Sequence, residues 1–132
     1  MRGDHVTSDL SVVPQTIFST PEIGRVGLTQ REARERGLPC HTATHDMKGA
    51  SNGVATGEDG GYLKLVFDGT TERIVGVQIV SYAASELIQL AALGVRVGVT
   101  ADRLATQLSI HPSQAERFIK VAAHEYHEVC DL

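Results

Sequence analysis

The sequence predicts an α+β fold, an antiparallel β-sheet with helices packed on one face. Strand-like runs dominate residues 13–80, and the longer helical patterns cluster after them, which is the order expected when helices gather on one side of a sheet. The chain has 132 residues, of which 42% are hydrophobic and 21% charged. A chain of this length and composition can bury one core without a metal or a disulfide.

The amino-terminal half is predicted to begin with two short strands and a helix. Gln15–Ser19 is rich in β-favouring residues, and Arg25–Leu28 is a second strand of the same kind. Thr29 and Glu32 have the spacing of a capping box, which predicts that a helix begins there, and Gly37 ends it.

A strand, a loop and a hairpin are predicted next. Cys40–Asp46 alternates weakly and is interpreted as an edge strand, and residues 48–61 contain five glycines, which favours a loop. Tyr62–Phe67 and Arg73–Val80 flank a turn at Asp68–Thr71 and form an antiparallel hairpin. The residues predicted to share its buried face are Leu63, Leu65, Phe67, Val75, Val77 and Ile79.

Three helices are predicted in the remainder of the chain. Ala83–Leu93 is apolar and is expected to end at Gly94, and Thr100 caps a short helix that runs to Leu104. The last helix is predicted to run from Ser113 to Tyr126. Its predicted apolar stripe is Ala115, Phe118, Ile119, Ala122 and Tyr126, and its polar stripe is Arg117, Lys120, His124 and His127.

Charge and composition exclude several classes of function. The net charge of -4 leaves no basic stripe for nucleic acid, and no apolar run is long enough to cross a membrane. The two cysteines, Cys40 and Cys130, do not resemble a disulfide framework, so a cytoplasmic location is expected. Residues 1–12 are interpreted as a flexible tail and residues 13–132 as one domain.

The residues that suggest chemistry are His111 and Glu116, in the run Ser109–Glu116. His111 precedes a proline, which favours extended backbone, and an imidazole can exchange protons near neutral pH. Two structural alternatives stay open: His111 is a loop histidine without a task, or Glu116 completes a capping box with Ser113.

This run, together with Thr20–Thr29, resembles the carboxy-terminal dimerisation domain of the FAD-dependent pyridine nucleotide-disulfide oxidoreductases, from about Val13 to about Tyr126. The resemblance implies a homodimer in which His111 is an acid–base residue that reaches the partner subunit's active site and Glu116 orients it. Because His111 is present, the resemblance leans toward members similar to dihydrolipoyl dehydrogenase. The matching positions near the start, expected to be structural, are Pro21, Glu22, Gly24, Gly27 and Leu28.

Other features of that family are missing from this sequence. It contains no G-x-G-x-x-G motif and no cysteine pair separated by four residues. We therefore expect that the chain alone binds neither FAD nor NAD(P) and has no activity by itself, although both cofactors are implied for the parent enzyme. The prediction is a stand-alone or truncated dimerisation domain that forms a homodimer.

Two alternatives belong to other classes of function. The chain could be a regulatory protein that pairs with a full-length flavoprotein reductase. A small metal-binding protein is less favoured, because no C-x-x-C pair accompanies the candidate ligands and the polar stripe also suits a solvated helix face. Those ligands form two sets: Cys40, His41 and His45, and His124, His127 and Cys130.

Overall fold

The computed structural model describes residues 7–8, 10–48, 51–57, 60–123 and 128–130. Its strands are β1 (Gln15–Ile17), β2 (Glu22–Gly27), β3 (Cys40–Asp46), β4 (Tyr62–Asp68), β5 (Ile74–Ser81) and β6 (Glu128–Cys130). Its helices are α1 (Gln30–Glu35), α2 (Ser51–Thr56), α3 (Ala84–Val97), α4 (Ala101–Ala105) and α5 (Glu116–Ala123). The predictions for His124, Tyr126, His127 and most of the tail lie outside the described residues.

The six strands form one antiparallel sheet in the order β1-β2-β5-β4-β3-β6. This arrangement confirms the predicted α+β class. Three helices, α3, α4 and α5, contribute residues to a single large core against the sheet. Residues that form its centre are Val26, Leu63, Leu65, Phe67, Val77, Ile79, Ile88, Phe118 and Val121. No helix among the described residues is long and apolar enough to cross a membrane.

Helix α1 packs against a smaller cluster on the other side of the sheet. Ala33 of this helix is fully buried with Cys40 and Val66. Val66 lies between Leu65 and Phe67, and because successive strand residues point to opposite faces, it must face away from the large core. The predicted capping box is present at the start of this helix, where Thr29 and Glu32 bond to each other's backbone.

A bulge in β5 corrects the predicted face of one residue. Val66 pairs with Gly76 and Phe67 pairs with Ile74, so Val75 is an extra residue in the strand. The extra residue resets the alternation, and Ile74 rather than Val75 joins the large core. Val75 instead packs against the smaller cluster under α1.

The predicted end of the third helix at Gly94 is wrong. Helix α3 continues to Val97 and stops at Gly98, which has the left-handed φ of 66° that favours glycine at a helix end. A Cβ on Gly94 would meet nothing within 4 Å, so no close packing explains the glycine there.

Three further predictions need correction. Residues 48–61 are not only a loop, because α2 lies inside them. Strand β3 is not an edge along Cys40–Thr42, where β6 pairs with it. Arg117 does not lie on an exposed stripe: it is buried, with a guanidinium nitrogen 3.4 Å from Nε2 of His45.

The cysteines also differ from expectation, because Cys40 is disulfide-bonded. The register of β3 and β6 places Cys40 and Cys130 opposite each other along the backbone.

Candidate active-site histidine and its surroundings

The structure brings His111 and Glu116 together at the start of α5. Nδ1 of His111 lies 2.9 Å from Oε2 of Glu116. The two side chains differ sharply in exposure, 62% for His111 and 6% for Glu116. A buried carboxylate therefore holds one edge of an imidazole whose remaining surface faces solvent.

Ser113 explains how the carboxylate becomes available for His111. The Ser113 hydroxyl accepts the Glu116 backbone N–H at 3.2 Å and so satisfies one of the unpaired donors at the helix start. In the described part of the chain, the Glu116 carboxylate pairs with side chains, His111 and Lys120, instead of turning back to Ser113. Of the two hydrogen bonds of a capping box, the structure therefore contains the one accepted by the Ser113 hydroxyl, while the Glu116 carboxylate is used elsewhere.

Charge at the site keeps Glu116 ionised. The hydrogen bond with His111 is the largest cause that lowers the pKa of Glu116, and the charges of Lys120 and His111 lower it further, against the opposing effect of burial. Lys120 Nζ lies 3.5 Å from the second carboxylate oxygen. Because an ionised carboxylate can only accept a hydrogen bond, Nδ1 of His111 carries the hydrogen in this bond.

A second contact fixes the approach of the chain to α5. The side-chain amide of Gln114 donates to the Tyr82 hydroxyl at 3.3 Å, which ties the start of α5 to the turn before α3. This pair is separated by 32 positions, and no spacing rule in the sequence connects the two residues.

An exposed apolar groove lies beside His111. We use the name apolar groove for the cavity of about 490 Å³ between α3 and the loop that leads into α5. Two of its residues, Leu108 and Ile110, are 94% and 80% exposed. The others that expose a large apolar side chain are Leu90, Leu93 and Val97, all on α3. Contiguous exposed apolar surface of this kind is typical of contact sites between proteins.

Helix α3 has one buried apolar face and one exposed apolar face. Its inner face, which includes Leu87 and Ile88, is buried in the core, while Leu90 and Leu93 face the groove. Gly24 of β2 allows the close approach, since a Cβ there would lie 3.2 Å from the Cβ of Ile88.

Glu22 holds the start of α3 in place. Its carboxylate accepts the Ser85 backbone N–H at 2.8 Å. This hydrogen bond is the largest cause that lowers the pKa of Glu22. Glu22 and Gly24, two residues of the segment predicted to be structural, thus contact the first half of α3.

The candidate metal ligands that the structure describes do not converge on one site. Nε2 of His41 lies 3.1 Å from Glu72, and His45 approaches Arg117 instead. Among the described residues, no group of three or more His, Cys, Asp or Glu side chains could hold a metal ion. His124, His127 and the Cys130 side chain lie outside the described residues.

Together, the sheet, the helices on it and the uncovered groove define a small α+β interface domain. The chain belongs to the pyridine nucleotide-disulphide oxidoreductases, because the model of their dimerisation domain matches residues 13–122.

Relatives in sequence are much longer proteins. The chain is 32% identical over 122 residues to a dihydrolipoyl dehydrogenase of Halobacterium salinarum, covering 92% of this chain and 26% of that protein. It is 33% identical over 128 residues to a mercuric reductase of Shewanella putrefaciens, covering 97% of this chain and 23% of that protein. The chain therefore spans about a quarter of the length of these relatives.

Solved structures show the same fold. The flavoprotein disulfide reductase RclA from Escherichia coli matches with a TM-score of 0.84 and 27% identity, over 92% of this chain and 28% of that one. LpdA from Mycobacterium tuberculosis matches with a TM-score of 0.81 and 25% identity, over 89% of this chain and 26% of that one.

Proposed function

We propose that this domain forms a homodimer through the apolar groove and that, in a complete reductase, His111 serves as an acid–base residue for the partner subunit's active site. The observation that carries the proposal is the bond between His111 Nδ1 and the buried Glu116 carboxylate, made directly beside the groove.

The groove supports pairing of two copies. Leu108 and Ile110 project from the loop that leads to His111, and α3 supplies the opposite wall. A two-fold interface is self-complementary, so the exposed apolar loop of one copy can cover the groove of the other. Because the loop continues directly into His111, an interface at this place brings the imidazole close to the second copy.

The histidine supports proton transfer in a complete enzyme. Glu116 fixes the tautomer, so that Nε2 can take a proton from a thiol or return one to it. The described residues of this domain contain no arrangement that we assign to a flavin or a nicotinamide. We propose that FAD and NAD(P) are held by the rest of a parent protein.

Sedimentation over a wide range of protein concentration tests the dimer. We expect the unmodified chain to be a dimer and Leu108→Asp to be a monomer, because a carboxylate in an apolar contact is costly to desolvate. Val54→Asp is the matched control, since Val54 is also an exposed apolar residue but lies on α2 and outside the groove. A monomeric unmodified chain, or equal behaviour of the two variants, would contradict the proposal.

Turnover of the complete reductase tests the histidine. His111→Gln is expected to lower turnover by about 100-fold or more, which is the usual contribution of a positioned acid–base residue. The dimer should persist in this variant, because His111 makes no contribution to the groove lining. Unchanged turnover and an unchanged pH profile would remove the acid–base role and leave the dimer proposal standing.

A further inference from the structure

A second cavity, which shares only Ile74 and Val97 with the lining of the apolar groove, is lined by three arginines. Its volume is about 290 Å³, and it lies where α1, the start of β5 and the end of α3 meet the amino-terminal segment. Arg36 comes from the end of α1, Arg73 from the residue before β5, and Arg96 from the last turn of α3. The segment before β1 contributes Ser11.

The described residues that line the cavity supply no carboxylate to balance these charges. Its described lining contains no Asp or Glu. The cations in the ion pairs among the described residues are Arg25, Arg31, His41, His111 and Lys120, and none of them is a cavity arginine.

Helix dipoles explain the arginines singly but not together. Arg36 and Arg96 lie at the carboxyl ends of α1 and α3, where a cation is stabilised. The Arg73 guanidinium lies over Gly98, at the end of α3, with Nη1 3.3 Å from where a Cβ would stand. All three arginines are exposed, and together they give the cavity a positive potential that favours an anion.

We propose that this cavity binds a small phosphate-bearing anion. The arginine fork suits a phosphate because it donates two parallel hydrogen bonds to two oxygens. The volume lies near the lower end of the range for small-ligand sites, which excludes large cofactors and fits a phosphate with a short attachment. This inference does not depend on dimerisation or on His111.

Calorimetric titration of the intact chain with inorganic phosphate and, separately, pyrophosphate tests the proposal at low ionic strength. We expect saturable binding that weakens as salt is raised. Arg73→Gln and Arg96→Gln should each weaken it about tenfold or more, because each removes a charge-assisted hydrogen bond. Tighter binding of pyrophosphate would indicate a ligand with linked phosphates, and equal binding would indicate a single phosphate group.

Arg34→Gln is the matched control. Arg34 lies on α1 two positions before Arg36, carries the same charge and does not line the cavity. Its removal should leave phosphate binding unchanged. Absence of binding by the unmodified chain, or equal losses in Arg34→Gln and Arg96→Gln, would overturn the proposal. If Arg73→Gln unfolds the chain, Arg36→Gln replaces it in the test. Arg36 also lines the cavity but lies at the end of α1 and not over Gly98.

Discussion

The same pattern, a hydroxyl residue followed three positions later by a glutamate, lies at the amino-terminal end of two helices, and the two glutamates are used differently. Thr29 directly precedes α1, whereas α5 begins at Glu116 and not at Ser113 as predicted. At α1 the pair is Thr29 and Glu32, and at α5 it is Ser113 and Glu116. In both, the hydroxyl oxygen accepts the backbone N–H of the glutamate at 3.2 Å. The difference lies in where the carboxylate goes.

The Glu32 carboxylate binds Thr29, the residue that caps its own helix. Its carboxylate accepts the Thr29 backbone N–H at 2.7 Å and the Thr29 hydroxyl at 2.8 Å, and Arg25 lies 3.2 Å away. Glu116 instead pairs with His111, five positions earlier. The comparison teaches that the pattern marks the region of a helix start but not its first residue, which is Gln30 at α1 and Glu116 at α5. A nearby partner such as His111 decides whether the carboxylate binds within its own helix start or outside it.

The largest expected effect is the loss of stability on removing Glu32. Glu32→Ala should lower the free energy of unfolding by about 1–2 kcal/mol, because a capping bond and an ion pair are lost together. Urea denaturation measures this change. Glu35→Ala is the control, since Glu35 is exposed and lies 3.8 Å from Arg31, and it should cost less than about 0.5 kcal/mol. Equal losses of unfolding free energy in Glu32→Ala and Glu35→Ala would show that Glu32 stabilises the fold no more than an exposed glutamate does.

Acid should weaken α1 through the same carboxylate. Bonds from the Thr29 backbone and hydroxyl lower the pKa of Glu32 from 4.5 to about 2. A carboxyl with a lower pKa when folded stabilises the fold above the unfolded value, and that stability is lost as pH falls from 4.5 toward 2. We expect a loss of about 1 kcal/mol from this group after solvent screening.

Denaturant midpoints of the unmodified chain and Glu32→Gln, compared at about pH 7 and about pH 3, measure the acid effect. The variant should show a shallower dependence, since its amide does not titrate. The same acid dependence in both proteins would assign the loss to the other carboxyls with lowered pKa, among them Glu22 and Asp68.

Among these substitutions, Glu116→Gln is expected to change the stability of the fold least. It should have the largest effect on the His111 side chain. The substitution keeps the shape and removes the charge, so the free energy of unfolding should change by less than about 1 kcal/mol. The His111 ring should lose its fixed tautomer, which nitrogen-15 shifts of the imidazole report. Glu32→Gln should leave those shifts unchanged. Unaltered His111 shifts in Glu116→Gln would mean that the carboxylate does not set the tautomer.

Much of the fold could be predicted because local signals agreed with packing. The capping box at Thr29, the hairpin of β4 and β5, and the α+β class all follow from short-range patterns. The end of α3 did not, because Gly94 and Gly98 look alike in sequence and only the φ of Gly98 marks the stop. Helix α2 was hidden by its neighbouring glycines.

The site was predictable only in part. The five-residue spacing and the family resemblance pointed to His111 and Glu116, and the structure places them in contact. Burial of Arg117 was missed, because charge on a helix suggests exposure and the facing His45 comes from a distant strand. The arginine cavity left no local signal, since Arg36, Arg73 and Arg96 meet only through the tertiary fold.

The bulge at Val75 has a consequence for how this domain can vary in length. Because Ile74 and Gly76 already pair with adjacent residues of β4, deleting Val75 would leave the ladder in register on both sides. The loss would fall elsewhere: the Val75 carbonyl accepts the Leu28 N–H at 2.9 Å, and its side chain packs beneath α1. Val75 thus links the sheet to the smaller cluster under α1. Its deletion would weaken the packing of α1 and leave the large core on the other face of the sheet in place.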